Sequence, residues 1–316
     1  MKYISLLLII LVILPVTLKA QALEELEKRI ASENGIRSKT RLDYKYSDGK
    51  MAKSGIKTSL TTYNRAGDVL QEDYLNEKGV VTGSEKYDYD ANGNRTLYER
   101  NGNSKYKKQT QYNSQNQIML EAGFNGSENF RNEYSYSGGK VSEIVYTLGS
   151  KVQQKLKYSW SGNTAQVSVY TGGNSLSLKI KMVYDARGNL VEETTYTTAG
   201  KELEKKEYRY DSYSRLLEEV KTKNGKFYYR ITNTYSPRGN LQEVAEETLS
   251  KKRYAKKVYV YDDQGNLFQY KWRRNPDEEF NVKSYTYDSK GICLTEHTLY
   301  PATHFELLSK YEYEFY

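Results

Sequence analysis

The sequence predicts an all-β chain of about ten tandem β-hairpins. They repeat every 22 to 26 residues and form one long antiparallel sheet, twisted or partly coiled, with a short N-terminal helix. Three observations lead there. A short motif, Tyr-Asp/Asn/Ser-x-x-Gly, recurs at near-constant spacing. The stretches between copies are strand-like, rich in Tyr, Thr, Val and Lys. Apolar residues are few while Tyr reaches 33 of 316 residues, so one large oily core is out of reach, yet the aromatic content argues against disorder.

The repeats are read from their anchors. "YNRAGDV", "YDANGNR", "YDARGNL", "YDSYSRL", "YSPRGNL", "YDDQGNL" and "YDSKGIC" begin at Tyr63, Tyr89, Tyr184, Tyr210, Tyr235, Tyr261 and Tyr287. Weaker copies begin at Tyr112, Tyr136 and Tyr158, and Tyr313 stands where the next would start. Asp, Asn or Ser follows every anchor but the last, and such side chains bond the backbone ahead and open a turn. Gly holds the fourth place after the anchor in seven copies, and Asn116 holds it once, as a turn with positive φ requires. An apolar residue such as Val69, Ile118, Leu190, Leu216, Leu241 or Leu267 then restarts a strand. A second break about ten residues before the anchor, marked by Gly79, Gly102, Gly126, Gly200 and Gly225, completes each hairpin. Short connections make successive hairpins neighbours, which gives about twenty strands in a meander.

The chain start reads differently. Residues 1–22, "MKYISLLLIILVILPVTLKAQA", have a positive start, an apolar run and a small-x-small end, the pattern of a secretory signal peptide. Pro15 and Lys19 shorten the run below the roughly 20 apolar residues of a membrane span. Residues 23–45 are read as a helical cap or linker, with Leu23, Leu26 and Ile30 at helical spacing and Gly35 placed to stop the helix. A cap that hides an open sheet edge suits a repeat protein. The hairpin array fills residues 46–316.

Composition narrows the chemistry. Cys293 is the single cysteine, and His297 and His304 are the only histidines, so no Cys/His zinc set can assemble and no disulfide is needed. No cofactor is expected. The net charge of +8 is mild and interspersed, unlike the concentrated charge of a nucleic-acid binder. "DYDANGNRTLYE", residues 88–99, matches a calcium-loop pattern. The other copies carry no carboxylate at the place of Asp88, and Arg95 stands where that loop wants an apolar residue. The acid and Gly are read as hairpin-turn residues instead.

"YDANGN", "YDARGNL" and "YDDQGNL", recurring every 22 to 26 residues over residues 46–316, resemble the tyrosine-aspartate (YD) repeats of Rhs-type proteins. The resemblance implies a β-hairpin sheet that coils into a hollow shell, around a C-terminal toxin in the large members. It carries no toxin over, because this sequence ends inside a repeat.

Strand alternation puts Tyr208, Tyr210, Lys206 and Glu204 on one face and Leu203, Lys205 and Arg209 on the other. Neither face is consistently oily, and these charges oppose a lipid-facing barrel. The expected function is a secreted, non-catalytic scaffold of the cell envelope or surface that binds a glycan or a protein. The densest candidate patch is "FQYKWRRN": Phe268, Tyr270 and Trp272 on one face, with Arg273 and Arg274 beside them. The alternatives are a glycoside-acting enzyme, sited in the irregular copies at 112–173, and a remnant of a toxin-enclosing shell. A further expectation is self-association by strand addition at the C-terminal edge, "KYEYEFY".

Overall fold

Most repeats close at a five-residue turn held by the side chain that follows the anchor, an Asp in five copies and Asn64, Asn113 or Ser236 in three others. A computed structural model describes residues 17–47, 49–249 and 254–316, with side chains from Glu24 onward. In the second copy the Asp90 N–H donates to the Asn94 carbonyl at 2.9 Å, and the Gly93 N–H to the Asp90 carbonyl at 3.0 Å. Asp90 Oδ1 accepts from the N–H groups of Asn92 and Asn94, and Oδ2 accepts from Asn94 Nδ2. Asp185 and Asp262 repeat the arrangement. The Asn94 amide, with these backbone donors, holds the Asp90 carboxyl below its ordinary value. Gly93 sits at φ 79°, and the non-glycine copies Asn116 and Ser214 accept φ 58° and 61°. The carboxylate of the calcium-like loop is thus occupied by its own turn.

The helix α1 runs from Thr17 to Asn34, and Gly35 ends it at φ 63°. It crosses the boundary proposed at residue 22. The remainder of the proposed signal peptide, residues 1–16, lies outside the described residues. Strand β1 (Ile36–Ser47) follows, then the two-residue β2 (Lys50–Met51) and β3 (Ile56–Tyr63). Strands β4 to β22 succeed one another from Val69 to Tyr300, and β23 is Phe305–Phe315. From β3 to β23 every strand pairs with the next, antiparallel, as hairpin repeats require.

The sheet is not open. Strand β1 pairs with β23 from Ile36↔Phe315 to Lys45↔Leu307, and on its other side with β3 from Ser38↔Thr62 to Asp43↔Ile56. The result is a closed 22-stranded antiparallel barrel, with β2 a short flap on β1. This corrects the expected open or partly coiled sheet. The repeat period specifies hairpins but carries no mark of what meets the last one. The stretch "IRSKTRLDYKYS" lacks the motif, and only its pairing identifies it as the closing strand. The same pairing corrects the expected C-terminal edge: residues 307–315 pair with β1 and residues 305–310 with β22, so β23 is not an edge strand.

Helix α1 lies over this seam. Ile30 and Ala31 pack with Ile36, Tyr63, Val69, Ile292 and Tyr313, residues from both ends of the array. Lys28 pairs with Asp68 at 2.6 Å, Glu24 with Arg95, and Glu27 with Lys39. Burial opposes the charge on Lys39, but Glu27 outweighs it and holds the ammonium above its ordinary pKa. Glu27 also accepts from the Tyr63 hydroxyl at 2.8 Å. At the chain end the Tyr316 N–H donates to the Gly35 carbonyl.

The anchor tyrosines explain how repeats join. The ladder between strands Leu190–Thr197 and Glu202–Tyr210 stops at Glu192↔Glu207, so Leu190 has no strand partner there. The Tyr210 hydroxyl donates to the Leu190 carbonyl at 3.0 Å instead. Tyr89, Tyr112, Tyr136, Tyr235, Tyr287 and Tyr313 make the equivalent bond to Val69, Arg95, Ile118, Leu216, Leu267 and Cys293, at 2.6–3.1 Å. In the fifth repeat the donor is Trp160, two residues on from Tyr158, reaching the Val141 carbonyl at 2.8 Å. Tyr184 instead lies against the Met182 sulfur. The Tyr261 hydroxyl has no partner among the described residues. We therefore expect Tyr210→Phe to lower unfolding free energy by about 1 kcal/mol, since a carbonyl is left unpaired. Tyr261→Phe should stay within about 0.5 kcal/mol of the parent. Urea unfolding midpoints test this, and equal losses at both sites would refute the role assigned to the hydroxyl.

One continuous face carries the anchors and most of the deeply buried side chains. Tyr134, Ile144, Leu156, Ala165, Val167, Val169, Ile180, Met182 and Tyr208 form its apolar stretch. Its deeper burial marks it as the concave, lumen-facing wall, where side chains converge. Each buried Ile, Leu or Val there contributes about 1.5–3 kcal/mol. The irregular copies at 112–173, proposed as an enzyme's site, thus supply much of this apolar wall. A ring of this strand number is wider than its wall side chains fill. Consistently, the chain exposes 19567 Å², against roughly 13,500 Å² for a compact chain of its mass. The excess is more than the undescribed residues could add even if fully extended, at about 1.45 Å² per dalton.

Candidate binding surface in the lumen

The predicted patch divides between the two walls. Tyr270 and Trp272 project from the lumen wall of the strand Leu267–Arg273, two residues apart, with rings stacked at 4.9 Å and 14°. Tyr259, directly opposite Tyr270, extends the row at 5.1 Å. Beyond Trp272 the row turns edge-on: Tyr300 lies at 5.6 Å and 85°, and Phe305 meets Tyr300 at 5.5 Å. The row crosses from one hairpin to another and ends near the rim opposite α1. Burial, then Tyr270 and Tyr261, push the Tyr259 hydroxyl up to about 12.

The other patch members go elsewhere. Phe268 sits where the register shifts beside Tyr261, at the α1-side rim. It is half exposed and lines a cleft of about 510 Å³ with Asp262, Gln264, Tyr285 and Asp288. Arg273 turns to the outer wall and organises the following loop: Nη1 donates to the Pro276 carbonyl at 2.6 Å, and the guanidinium covers the Phe280 ring at 4.7 Å. The Arg274 N–H donates to Glu278. Sequence reasoning missed Tyr259, Tyr300 and Phe305. The parity of "YVY" places Tyr259 with the anchors. Tyr300 and Phe305 flank a hairpin connection, Pro301–Thr303, that the motif does not mark.

A second row lies across the seam. Tyr87, Tyr98, Tyr106 and Phe130 follow at 5.3, 5.6 and 5.9 Å. The last contact spans a whole strand, because Gly123, the register partner of Phe130, leaves the wall bare between them. A Cβ on Gly123 would stand 1.7 Å from the Lys107 carbonyl.

Charges on the lumen wall are paired in a repeating way. Lys108–Glu121, Lys206–Glu193 and Lys283–Glu296 are ion pairs at 2.7–3.1 Å, each thirteen residues apart and cross-linking neighbouring strands. Burial raises the Glu121 pKa, but Lys108, Tyr134 and Asn132 outweigh it and hold the carboxyl low. The outer wall carries chains of paired charges, with apolar residues such as Val258, Val282 and Leu299 from β19 (Tyr254–Tyr261) to β22 (Cys293–Tyr300). Lys181, Glu192, Lys205 and Glu207 form one chain of ion pairs, and Arg209, Glu218, Arg230 and Glu247 another. Among the described residues no three His, Cys, Asp or Glu gather as a metal set. No described helix is long and apolar enough to cross a membrane.

No family model and no curated protein matches the chain. Among solved structures it is similar to a porin-like protein from Bacteroides uniformis ATCC 8492, at 11% identity and a TM-score of 0.34, covering 89% of this chain and 97% of that one. A porin-like protein from Bacteroides vulgatus ATCC 8482 gives 10% and 0.24, with 89% and 99% covered. The TcdB2-TccC3-TEV structure gives 12% and 0.28, covering 86% of this chain and 19% of that one. This chain thus spans about a fifth of the TcdB2-TccC3 chain. At such scores the likenesses carry no argument about role, and the tyrosine-aspartate resemblance rests on the motifs in the sequence.

Proposed function

We propose that this chain is an exported, non-catalytic scaffold of the cell envelope or surface, a tyrosine-aspartate repeat barrel of the Rhs type that binds a glycan or a protein. The observation that carries the reading is the outer wall. Its strands carry chains of paired Lys, Arg and Glu, and each Lys or Arg at a lipid-facing position would cost about 2–4 kcal/mol near the bilayer centre, with Glu adding less. A wall of this kind belongs in water, which leaves the aromatic lumen as the surface for a ligand. The repeating Lys–Glu pairs support a structural use of the buried acids, since the same pair serves several hairpins. The leader-like residues 1–22 support export. The test is fractionation of the native host followed by alkaline extraction of membranes. The chain should appear outside the cytoplasm and leave the membrane at high pH. Retention with integral membrane proteins would overturn the proposal.

A further inference from the structure

We infer that the row Tyr259, Tyr270, Trp272, Tyr300 and Phe305 is a binding site for a neutral oligosaccharide, entered from the rim opposite α1. The inference rests on the ligand-binding reading above and names its site and ligand class.

Three features favour sugar over other ligands. Tyr259, Tyr270, Trp272 and Tyr300 follow one another in ring contact and lead to the exposed Phe305, a continuous aromatic surface that suits the C–H faces of pyranose rings. The row spans four strands, Tyr254–Tyr261, Leu267–Arg273, Cys293–Tyr300 and Phe305–Phe315, with ring centroids 4.9–5.6 Å apart, so an extended chain of rings meets several contacts in series. The ionisable groups facing the same stretch are balanced. Lys257 stands across from Trp272 and Lys283 across from Tyr270; Lys283 and Arg41 both hold Glu296, Arg41 also pairs with Asp43, and Glu246 lies one pair along from Lys257. Three cations and three acids give no net attraction for a polyanion or a polycation. They and Asn281, the register partner of Trp272, supply hydrogen-bond partners for hydroxyl groups.

The chain has two tryptophans, Trp160 and Trp272, so a Trp160→Phe background makes Trp272 the sole indole reporter. In that background we expect at least one of cellohexaose, maltohexaose and laminarihexaose to change Trp272 emission saturably. Binding to the parent chain, followed by calorimetry, should weaken about tenfold in Trp272→Ala and in Tyr300→Ala. Circular dichroism of both variants checks that the barrel persists, and Tyr213→Ala, on an exposed turn, should bind like the parent. Three outcomes overturn the inference: no response to any neutral hexasaccharide at about 10 mM, a concentration tenfold above a millimolar Kd, undiminished binding in both folded row variants, or tenfold tighter binding of hexagalacturonate or a chitosan hexamer. Fractionation reads the scaffold proposal separately, so a silent titration with an envelope location refutes the sugar site alone.

Discussion

Gly67→Ala should detach helix α1 from the barrel, while the same change at Gly188 should be mild. Both glycines occupy the same place in their turns, at φ 83° and 84°. Ala there costs about 1–2 kcal/mol in backbone strain at either site. They differ in what a methyl group would meet. At Gly67 it would stand 2.0 Å from the Lys28 carbonyl and 2.9 Å from the Ser32 nitrogen, both helix backbone, whereas nothing lies within 4 Å at Gly188. The helix must move away, which breaks the Lys28–Asp68 pair and exposes Ala31 and Ile36. We expect roughly 3–5 kcal/mol lost at Gly67, adding overpacking to strain, against about 1–2 at Gly188. Hydrogen exchange over residues 24–34 should rise sharply only in Gly67→Ala. Equal exchange and equal melting shifts in the two variants would show that the helix does not bear on that turn.

The second large effect concerns the strand that shuts the ring. Thr40 lies mid-way along β1, opposite Glu312 on one side and Leu60 on the other. Proline there removes a ladder donor and fixes φ in a strand flanked on both sides, a place proline does not tolerate. We expect Thr40→Pro to cost roughly 3 kcal/mol or more. It should also open the barrel between β3 and β23, freeing two long edges for pairing with other copies. Sedimentation should show oligomers, and amide protection should fall over residues 307–315. Lys50→Pro, in the exposed two-residue β2, serves as the control and should leave both readouts unchanged. A monomeric, fully protected Thr40→Pro would mean that closure does not depend on β1.

What the sequence made legible follows from the scale of each cause. A turn is local. Asp90, Gly93 and Asn94 lie within five residues, so their chemistry is written in consecutive letters and the period follows. Face alternation is equally local, and it placed Tyr208 with Lys206 and Tyr259 with Tyr261. The role of the anchor hydroxyl is one step removed. A bond from Tyr210 back to Leu190 needs the ladder to have stopped short, which no motif announces. Closure is the least legible, because it is a relation between Ile36 and Phe315 and nothing near either residue encodes the other. The candidate surface divides along the same line. Tyr270 and Trp272 share a strand and were found together, whereas Tyr300 and Phe305 join them only because two hairpins lie side by side.

The pairing of β1 with β23 also dictates an order of assembly. Each hairpin can zip up within its own 25 or so residues, but the joint spans about 270. By loop-closure entropy that final step costs about 2 kcal/mol more than shutting one hairpin. It cannot begin until the last residues are present. During synthesis, which runs from the amino end, β1 emerges early and then waits, unpaired on one side, for β23 to follow. Any product lacking β23 stays a gaping crescent, so closure of the barrel doubles as a record that the closing strand has been made.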